Sequence, residues 1–340
     1  MNYLITGAGG FLGSVITRSI HGRNTVGDKI RTFQRGDYPA LADPDIQIIR
    51  GDLTDLPALI QATRGIDIVF HVAAKAGVWG SYRDYYQANV LGTQNVIAAC
   101  RHSGVRGLVF TSSPSVVFDG TDENGITESV PYPKHYLAYY PQTKALAERA
   151  VLAANAPGLR TVALRPHLIW GPNDPHLIPR ILARARAGRL RLIGQQDKLV
   201  DSTYIDNAAH AHLIAADQLA TNSHPACVGK AYFISNGEPL TMADLIGRIL
   251  AAAGLPSTLP RIPARLAYLT GAALELTHTL LRLKHEPLLT RFVARQLSTA
   301  HWFDLSAARR DLGYHPLVTV DEGLRRLAES LRDPSNKSHP

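Results

Sequence analysis

The 340-residue chain predicts an α/β fold, a doubly wound parallel sheet joined to a smaller, mostly helical C-terminal substrate domain. Three observations carry that expectation. A glycine-rich turn, Thr6-Gly7-Ala8-Gly9-Gly10-Phe11-Leu12-Gly13, follows the apolar run Tyr3-Leu4-Ile5. Short apolar runs then alternate with helical stretches through the first half, the pattern of a parallel sheet covered on both faces. A second motif, Tyr140-Pro141-Gln142-Thr143-Lys144, stands where a later helix of such a fold opens.

Residues 2–6 read as the first strand and 11–22 as its helix. Gly7 permits the tight turn, Gly10 lets backbone approach a pyrophosphate, and Gly13 lets the helix lie close on the sheet. Gly7, Gly10, Phe11, Leu12 and Gly13 thus form a candidate dinucleotide cradle of Rossmann type, with helix N–H groups facing the phosphates. Ile30–Phe33, Ile46–Ile49 and Ile66–Val72 read as the next strands, followed by a helix over about 83–103 and a strand at Leu108–Thr111. A long helix opens near Tyr140 and runs through Ala153, and Thr161–Leu164 supplies another strand.

Past Gly171-Pro172 the pattern loosens into short amphipathic helices, with returns to the sheet expected around Ser202–Ile205 and Ala231–Ile234. The expected division is a dinucleotide-binding domain over 1–170 with returns near 200–235, and a substrate domain over 171–199 and 236–332. The polar residues 333–340 read as a disordered tail. Within the second half, Leu266, Leu269, Ala273, Leu276, Leu280 and Leu283 recur at alternating steps of three and four, with Glu275, His278 and Arg282 off the stripe. The stripe suits a helix docked on its own domain, a lid over an aliphatic substrate, or a seam for a partner chain.

Hydrophobic residues make up 45% of the chain and charged residues 19%, the balance of a globular protein. The formal charge of +8 comes without a long Lys/Arg block, which argues against nucleic acid and for an anionic cofactor and substrate. Arg180, Arg184, Arg186, Arg189 and Arg191 read as a solvated helix face or as contacts to an acidic group. Cys100 and Cys227 give neither a metal spacing nor a disulfide framework, and His71, His167 and His176 give no zinc spacing, so no metal is expected. No charge-free apolar run approaches the roughly 18 residues of a spanning helix, and the first strand leaves no room for a leader. The expectation is a soluble, cytoplasmic protein without a transmembrane segment.

Tyr140 and Lys144 lie four apart and share one helix face, with Pro141 suited to the first turn. A lysine ammonium draws a tyrosine pKa down from about 10, making Tyr140 a usable general acid or base. Ser113 follows the strand Leu108–Thr111 at the carboxyl edge of the sheet, where a hydroxyl can bond a substrate carbonyl, although Thr111, Ser112 and Ser115 offer hydroxyls beside it. NAD sites place a carboxylate after the second strand. Here that strand ends Thr32-Phe33-Gln34-Arg35, whose guanidinium can pair with a 2′-phosphate, with Asp37 close by. This favours NADP(H). Lys75, beside Trp79 and Tyr82, follows the strand Ile66–Val72 and is a candidate anchor for a substrate carboxylate, with Arg165 as its competitor.

These pieces resemble the extended short-chain dehydrogenase/reductases. The matching stretches are Thr6–Gly13, Gly51-Asp52-Leu53, His71-Val72-Ala73-Ala74, Asn89-Val90-Leu91-Gly92-Thr93, Thr111–Val117, Tyr140–Lys144 and Leu164-Arg165-Pro166. The resemblance implies catalytic roles for Ser113, Tyr140 and Lys144, and a supporting role for Asn89 in orienting a water or Lys144. It also assigns Asp52 and Leu53 to the adenine, Ala73 and Ala74 to the middle of the cofactor, and Pro166 to the nicotinamide side. Val117-Phe118 departs from the Tyr-Gly of sugar-nucleotide members and weakens an epimerase reading.

Within that family the chain is most similar to the 3β-hydroxysteroid dehydrogenase-like branch, and there to the bacterial 2-alkyl-3-oxoalkanoate reductases of long-chain olefin biosynthesis. Arg35–Pro39, Ala74–Tyr82, Leu199–Asn207 and Tyr232–Pro239 carry this likeness. It implies NADPH-dependent reduction of a long-chain 2-alkyl-3-oxo acid. Lys75, Trp79 and Tyr82 would be on the substrate side, a homodimer is one candidate assembly, and association with other olefin-biosynthesis enzymes is another. The rivals are an NAD-dependent sterol or hopanoid 3β-hydroxy dehydrogenase and a non-catalytic NADP-sensing regulatory protein.

Overall fold

Alternation along the strands decides the architecture. In the computed structural model, which describes residues 1–23, 27–283 and 285–332, seven strands form one parallel sheet: β1 (Asn2–Thr6), β2 (Lys29–Gln34), β3 (Ile46–Arg50), β4 (Ile68–His71), β5 (Gly107–Thr111), β6 (Arg160–Pro166) and β7 (Lys230–Ile234). Their order is β7-β6-β5-β4-β1-β2-β3. Tyr3, Ile5, Ile68, Phe70, Val109, Val162 and Leu164 face one core, whereas the intervening Leu4, Val69, Leu108, Phe110 and Ala163 face the other. Period-two alternation of apolar residues on both faces demands helices on both sides.

Helix α1 (Phe11–Gly22) covers the first face. Helices α2 (Leu56–Thr63), α3 (Gly92–Ser103) and α4 (Tyr139–Ala153) cover the second. Helix α5 (Ile205–Thr221) joins α1 on the first face. The strand order reverses between β1 and β4, so a crevice opens at the carboxyl ends of those two strands. Among the described residues no helix is long and apolar enough to cross a membrane.

The expected strands of the large sheet form within a residue or two of their expected bounds. Ser202–Ile205 does not return to that sheet: only Thr203–Tyr204 is strand, it pairs with Ile169–Trp170 in a separate two-stranded sheet, and α5 begins at Ile205. Two helices escaped the periodicity argument. Helix α5 buries ten of its residues, many of them alanines, and so has little polar face to betray it. Helix α2 is short, but Asp55 caps it by accepting from Ala58 N–H at 3.0 Å with Pro57 in its first turn. The tail at 333–340 lies outside the described residues.

Of the readings of the leucine stripe, the one that docks the leucines on their own domain is not met. The stripe folds as helix α6 (Ala264–Leu280) against α7 (Arg291–Gln296), but turned: Ala267, Gly271 and His278 are the buried residues and the leucines face out. A Cβ at Gly271 would lie 2.7 Å from the Thr290 carbonyl carbon, so the small face is the one that lets the backbones close up. Glu275, off the stripe, is turned onto Arg291, accepting from its backbone N–H at 2.7 Å and its Nε at 2.6 Å.

Helix α4 is clamped to β6 by a buried fork. Arg165 donates from Nε and Nη2 to the two Glu148 carboxylate oxygens at 2.9 and 2.7 Å, and the Tyr132 hydroxyl donates to the same carboxylate at 2.6 Å. Removing one partner of such a pair strands the other charge in a dry site. Glu148→Ala is therefore expected to lower the unfolding free energy by about 3–5 kcal/mol in denaturant titration. A loss under about 1 kcal/mol, the range of an exposed pair, would refute the clamp.

Candidate active site

The glycine turn sets the first wall. Gly7 has φ +73°, and a Cβ there would lie 2.8 Å from Ala73 Cα; at Gly13 it would lie 2.2 Å from the Gly7 carbonyl oxygen. Only bare backbone lets β1 turn under the Ala73 segment and α1 start this close. From this turn a cleft of about 810 Å³ runs along the sheet edge to Tyr140 and Lys144. Gly7, Gly10, Phe11, Leu12, Gly13, Arg35, Asp52, Leu53, Ala73, Ala74 and Lys75 line it, but Ser113, Asn89, Pro166, Trp79 and Tyr82 do not. Tyr38 and His176 also line it, as do Ile169 and Asp174, which were not singled out in the sequence. Tyr38 packs its ring on Gly9, where a Cβ would come within 2.2 Å of it. This bare-backbone cradle, continuous with a cleft of that size, fits a dinucleotide.

At the adenine end, Arg35 is 81% exposed and only 3.9 Å from Asp52, a loose pair. Asp37, the acid that competes with it in the sequence, is bonded to Arg50. Asp52 is itself held by Thr54, whose backbone N–H and hydroxyl donate to it at 2.9 and 2.7 Å; these bonds keep its carboxyl below the usual range.

At the other end, Lys144 is buried, donates to the Thr111 carbonyl at 2.5 Å and sits 4.1 Å over the Phe110 ring. Burial pushes its pKa down to about 7, against the pull of Glu148 one turn along the helix. Tyr140 is half-buried, and its phenol is raised above the usual value by desolvation, with a hydrogen bond from Ser113 opposing the rise. The expected lowering by Lys144 is therefore not what this arrangement shows; Ser113 is the group that favours the phenolate. Of the neighbouring hydroxyls, Thr111 faces His212 at 2.8 Å, while Ser113 and Ser115 bond each other at 2.9 Å.

Asn89 lies on an unexpected turn. The helix expected over 83–103 is a short turn at Tyr82–Tyr85, a π-helical stretch at Tyr86–Leu91, and then α3. The widening aims the Asn89 side chain at the loop after β4: it accepts from Lys75 N–H at 2.7 Å and donates to the Lys75 carbonyl and the Thr143 hydroxyl, each at 3.1 Å. Both amide protons are thereby used, and no bond joins Asn89 to Lys144 among the described residues. Asn89 instead ties the Lys75 loop to helix α4, one residue before Lys144.

His71 completes a chain behind this turn. Its Nδ1 is 2.8 Å from the Thr6 hydroxyl and its Nε2 2.9 Å from that of Thr93, which donates to the Asn89 carbonyl at 2.6 Å. Since the single Thr93 proton goes to Asn89, His71 Nε2 must carry the proton and Nδ1 must accept from Thr6. Burial, reinforced by Lys144, pushes the imidazole down to about 3, so it stays neutral. His167 belongs elsewhere, bonded to His301 at 2.9 Å.

Lys75 places its ammonium 5.3 Å over the Tyr85 ring. Trp79 donates to the Leu283 carbonyl at 3.3 Å and meets the His278 ring edge-on, while Tyr82 packs on Tyr86 and Tyr139. Trp79 and Tyr82 thus stand outside the cleft lining. Arg165, the alternative anchor, is consumed by Glu148.

Comparison with known proteins matches residues 4–263 to the family described as 3-beta hydroxysteroid dehydrogenase/isomerase. A 2-alkyl-3-oxoalkanoate reductase of Shewanella oneidensis is 52% identical over 334 residues, 96% of this chain and 85% of the relative. One of Stenotrophomonas maltophilia is 52% identical over 97% of this chain and 99% of the relative. The decarboxylating sterol-4-alpha-carboxylate 3-dehydrogenase of Mus musculus is 35% identical over 96% and 90%. Among solved structures, MoeE5 in complex with UDP-glucose and NAD is similar at a TM-score of 0.75 and 25% identity, over 98% of this chain and 99% of that one.

The deduced proton order is measurable. The ¹⁵N shifts of His71 are expected to report one neutral Nε2–H tautomer, unchanged from about pH 5 to 8, because a group pushed to about 3 does not charge in that window. A titration of His71 with a midpoint near 6.5, or an Nδ1–H tautomer, would break the chain.

Proposed function

The chain belongs to the 3-beta hydroxysteroid dehydrogenase/isomerase family, as an extended short-chain dehydrogenase/reductase, and we propose that it reduces the 3-keto group of a 2-alkyl-3-oxoalkanoic acid with NADPH, on a route to long-chain olefins. The observation that carries this reading is that Tyr140 and Lys144 line the far end of a cleft that starts at the glycine turn, with Ser113 behind the lining and bonded to Tyr140. The two reductases at 52% identity over nearly the whole chain support the substrate class. The decarboxylating sterol relative adds chemical support, because a 4-carboxylate next to a 3-oxygen is likewise an acid oxygenated at its β carbon.

Gly7, Gly10, Phe11, Leu12 and Gly13 would hold the pyrophosphate, Asp52 and Leu53 the adenine, and Ala73 and Ala74 the middle of the cofactor, with Pro166, behind the cleft lining, on the nicotinamide side. Bound there, the cofactor supplies a hydride to the substrate's carbonyl carbon. Tyr140 gives the proton to the carbonyl oxygen, and Ser113, bonded to Tyr140, polarises that oxygen and favours the phenolate left behind. Lys144, held on the Thr111 carbonyl, reaches the ribose and carries an amine that titrates near neutrality. Asn89 positions both Lys75 and the start of α4. Residues 171–199 and 236–332 form the substrate side, with Trp79 and Tyr82 at its rim. Lys75 neutralises the substrate carboxylate, Arg165 being already spent.

The preference for NADPH is supported by an exposed Arg35, only loosely paired with Asp52, beside an Asp37 already paired with Arg50. Because Arg35 is exposed, solvent screens the pair and the lower end of the charge-assisted range applies. Arg35→Ala is expected to weaken NADPH binding by about tenfold and leave NADH within about twofold, read by calorimetric titration. Equal losses for both cofactors would mean that Arg35 does not read the 2′-phosphate.

The substrate reading is tested by following NADPH oxidation with a 2-alkyl-3-oxo acid, its methyl ester, and, in the oxidative direction with NAD, a sterol-4-carboxylate. The acid is the expected substrate; turnover of the sterol alone would install the sterol dehydrogenase in its place. Lys75→Met is expected to raise KM for the acid by at least about tenfold, the loss of one charged contact, and to spare the ester. Equal damage to acid and ester would remove Lys75 as the anchor.

A further inference from the structure

Two glycines at the adenosine end are not demanded by the cradle itself. Gly7 lies in the left-handed region and Gly13 is pressed on the Gly7 carbonyl, so backbone alone requires them. Gly9 and Gly36 have no positive φ. The three atoms nearest a Cβ at either position all belong to Tyr38: its ring at 2.2–2.4 Å from Gly9, and its ring and hydroxyl oxygen at 3.1–3.2 Å from Gly36. One aromatic ring is thus seated on bare backbone from two segments, the turn after β1 and the turn after β2.

We infer that Tyr38 is a cofactor-specificity residue: it walls the adenosine end of the cleft, and its hydroxyl donates to the ribose 2′-phosphate that pairs with Arg35. The inference rests on the NADPH reading above and adds a second residue to it.

The seat is held from both sides. Asp37 is bonded to Arg50 at the end of β3. Pro39 opens the single turn Pro39–Leu41, in which the Leu41 N–H donates to the Tyr38 carbonyl at 2.9 Å and the Leu41 side chain is buried in the first core. With its backbone fixed and its ring packed on Gly9, Tyr38 has its hydroxyl set beside Gly36, the residue that follows Arg35. Tyr38 and Arg35 both line the cleft. Among the described residues the Tyr38 hydroxyl has no hydrogen-bond partner, so its proton is available to a ligand.

The chemistry of a phosphate needs more than Arg35. Solvent screens an exposed guanidinium and leaves its pairing weak. A ring that takes one side of the phosphate out of water strengthens that pairing, and an O–H fills an acceptor oxygen that the guanidinium leaves open. The 2′-hydroxyl of NADH brings no such charge, so both effects discriminate.

The test is calorimetric titration with NADPH, NADH and 2′,5′-ADP, a probe that carries the adenosine end alone, with melting of the cofactor-free proteins to verify folding. Tyr38→Phe keeps the seat and loses the hydroxyl. It should weaken NADPH and 2′,5′-ADP by about five- to tenfold and NADH by less than about twofold. Gly9→Ala unseats the ring and should weaken NADPH at least as much. Built on Tyr38→Ala, where no ring is left to displace, the same change should cost less than about twofold. Unchanged 2′,5′-ADP binding in Tyr38→Phe overturns the inference. So does a Gly9→Ala loss that persists without the ring, which would give that bare backbone to the cofactor itself. Tighter binding of both cofactors in Tyr38→Ala also overturns it, making the ring a plug. Wild-type protein that binds NADH as tightly as NADPH would sink the NADPH reading and this inference together, so the wild-type titration tells the two failures apart.

Discussion

The fork between Glu148 and Arg165 is the constraint on which the site depends. Tyr140, Lys144 and Glu148 lie at successive turns along one side of α4, so fixing Glu148 to β6 fixes where the other two emerge above the end of β5. A buried ion pair is a costly way to join a helix to a sheet, since both charges lose their hydration. What it secures is register. A slip of one residue on α4 would turn Lys144 away from the Thr111 carbonyl and Tyr140 away from Ser113. Glu148 also answers the Lys144 ammonium electrostatically, opposing the burial that drives its pKa toward 7.

A second framework of neutral hydrogen bonds meets the first. Thr6 on β1, His71 on β4 and Thr93 on α3 donate hydrogen bonds in one direction, ending at the Asn89 carbonyl, across the crevice where the strand order reverses. The π-helical stretch then lets the Asn89 side chain clasp Lys75 and Thr143. An inserted residue in a helix costs hydrogen-bond geometry and survives where it aims a side chain. Here it links the loop bearing Lys75 to the helix bearing Lys144, so the two cations sit on one connected scaffold. Gly92 makes room for this, because a Cβ there would lie 2.8 Å from that of Leu53.

The strongly patterned parts of the sequence were readable because one periodicity or one steric demand governed each. The sheet followed from alternating apolar runs, and the cradle from glycines whose absent Cβ atoms would collide with Ala73 and Gly7. Features set by tertiary contacts were not readable. The π turn at Asn89 has no local signature, and the paths of Lys144 to Thr111 and of Asp37 to Arg50 are choices made by neighbours distant in sequence. The α6 stripe shows the limit of hydrophobicity alone: shape, through Gly271 against Thr290, outweighed the leucines in choosing the inner face. Helix α5 failed for the opposite reason, being apolar on too many sides to show a stripe.

The central claim is that Tyr140 gives the proton in a cleft that holds the cofactor independently of that proton. Parallel measurement of NADPH affinity and of turnover with a 2-alkyl-3-oxo acid in Tyr140→Phe tests it most directly. The account predicts affinity within about twofold of wild type and turnover lower by about 10²–10⁴-fold, the worth of a positioned general acid. Turnover near the wild-type rate would contradict it.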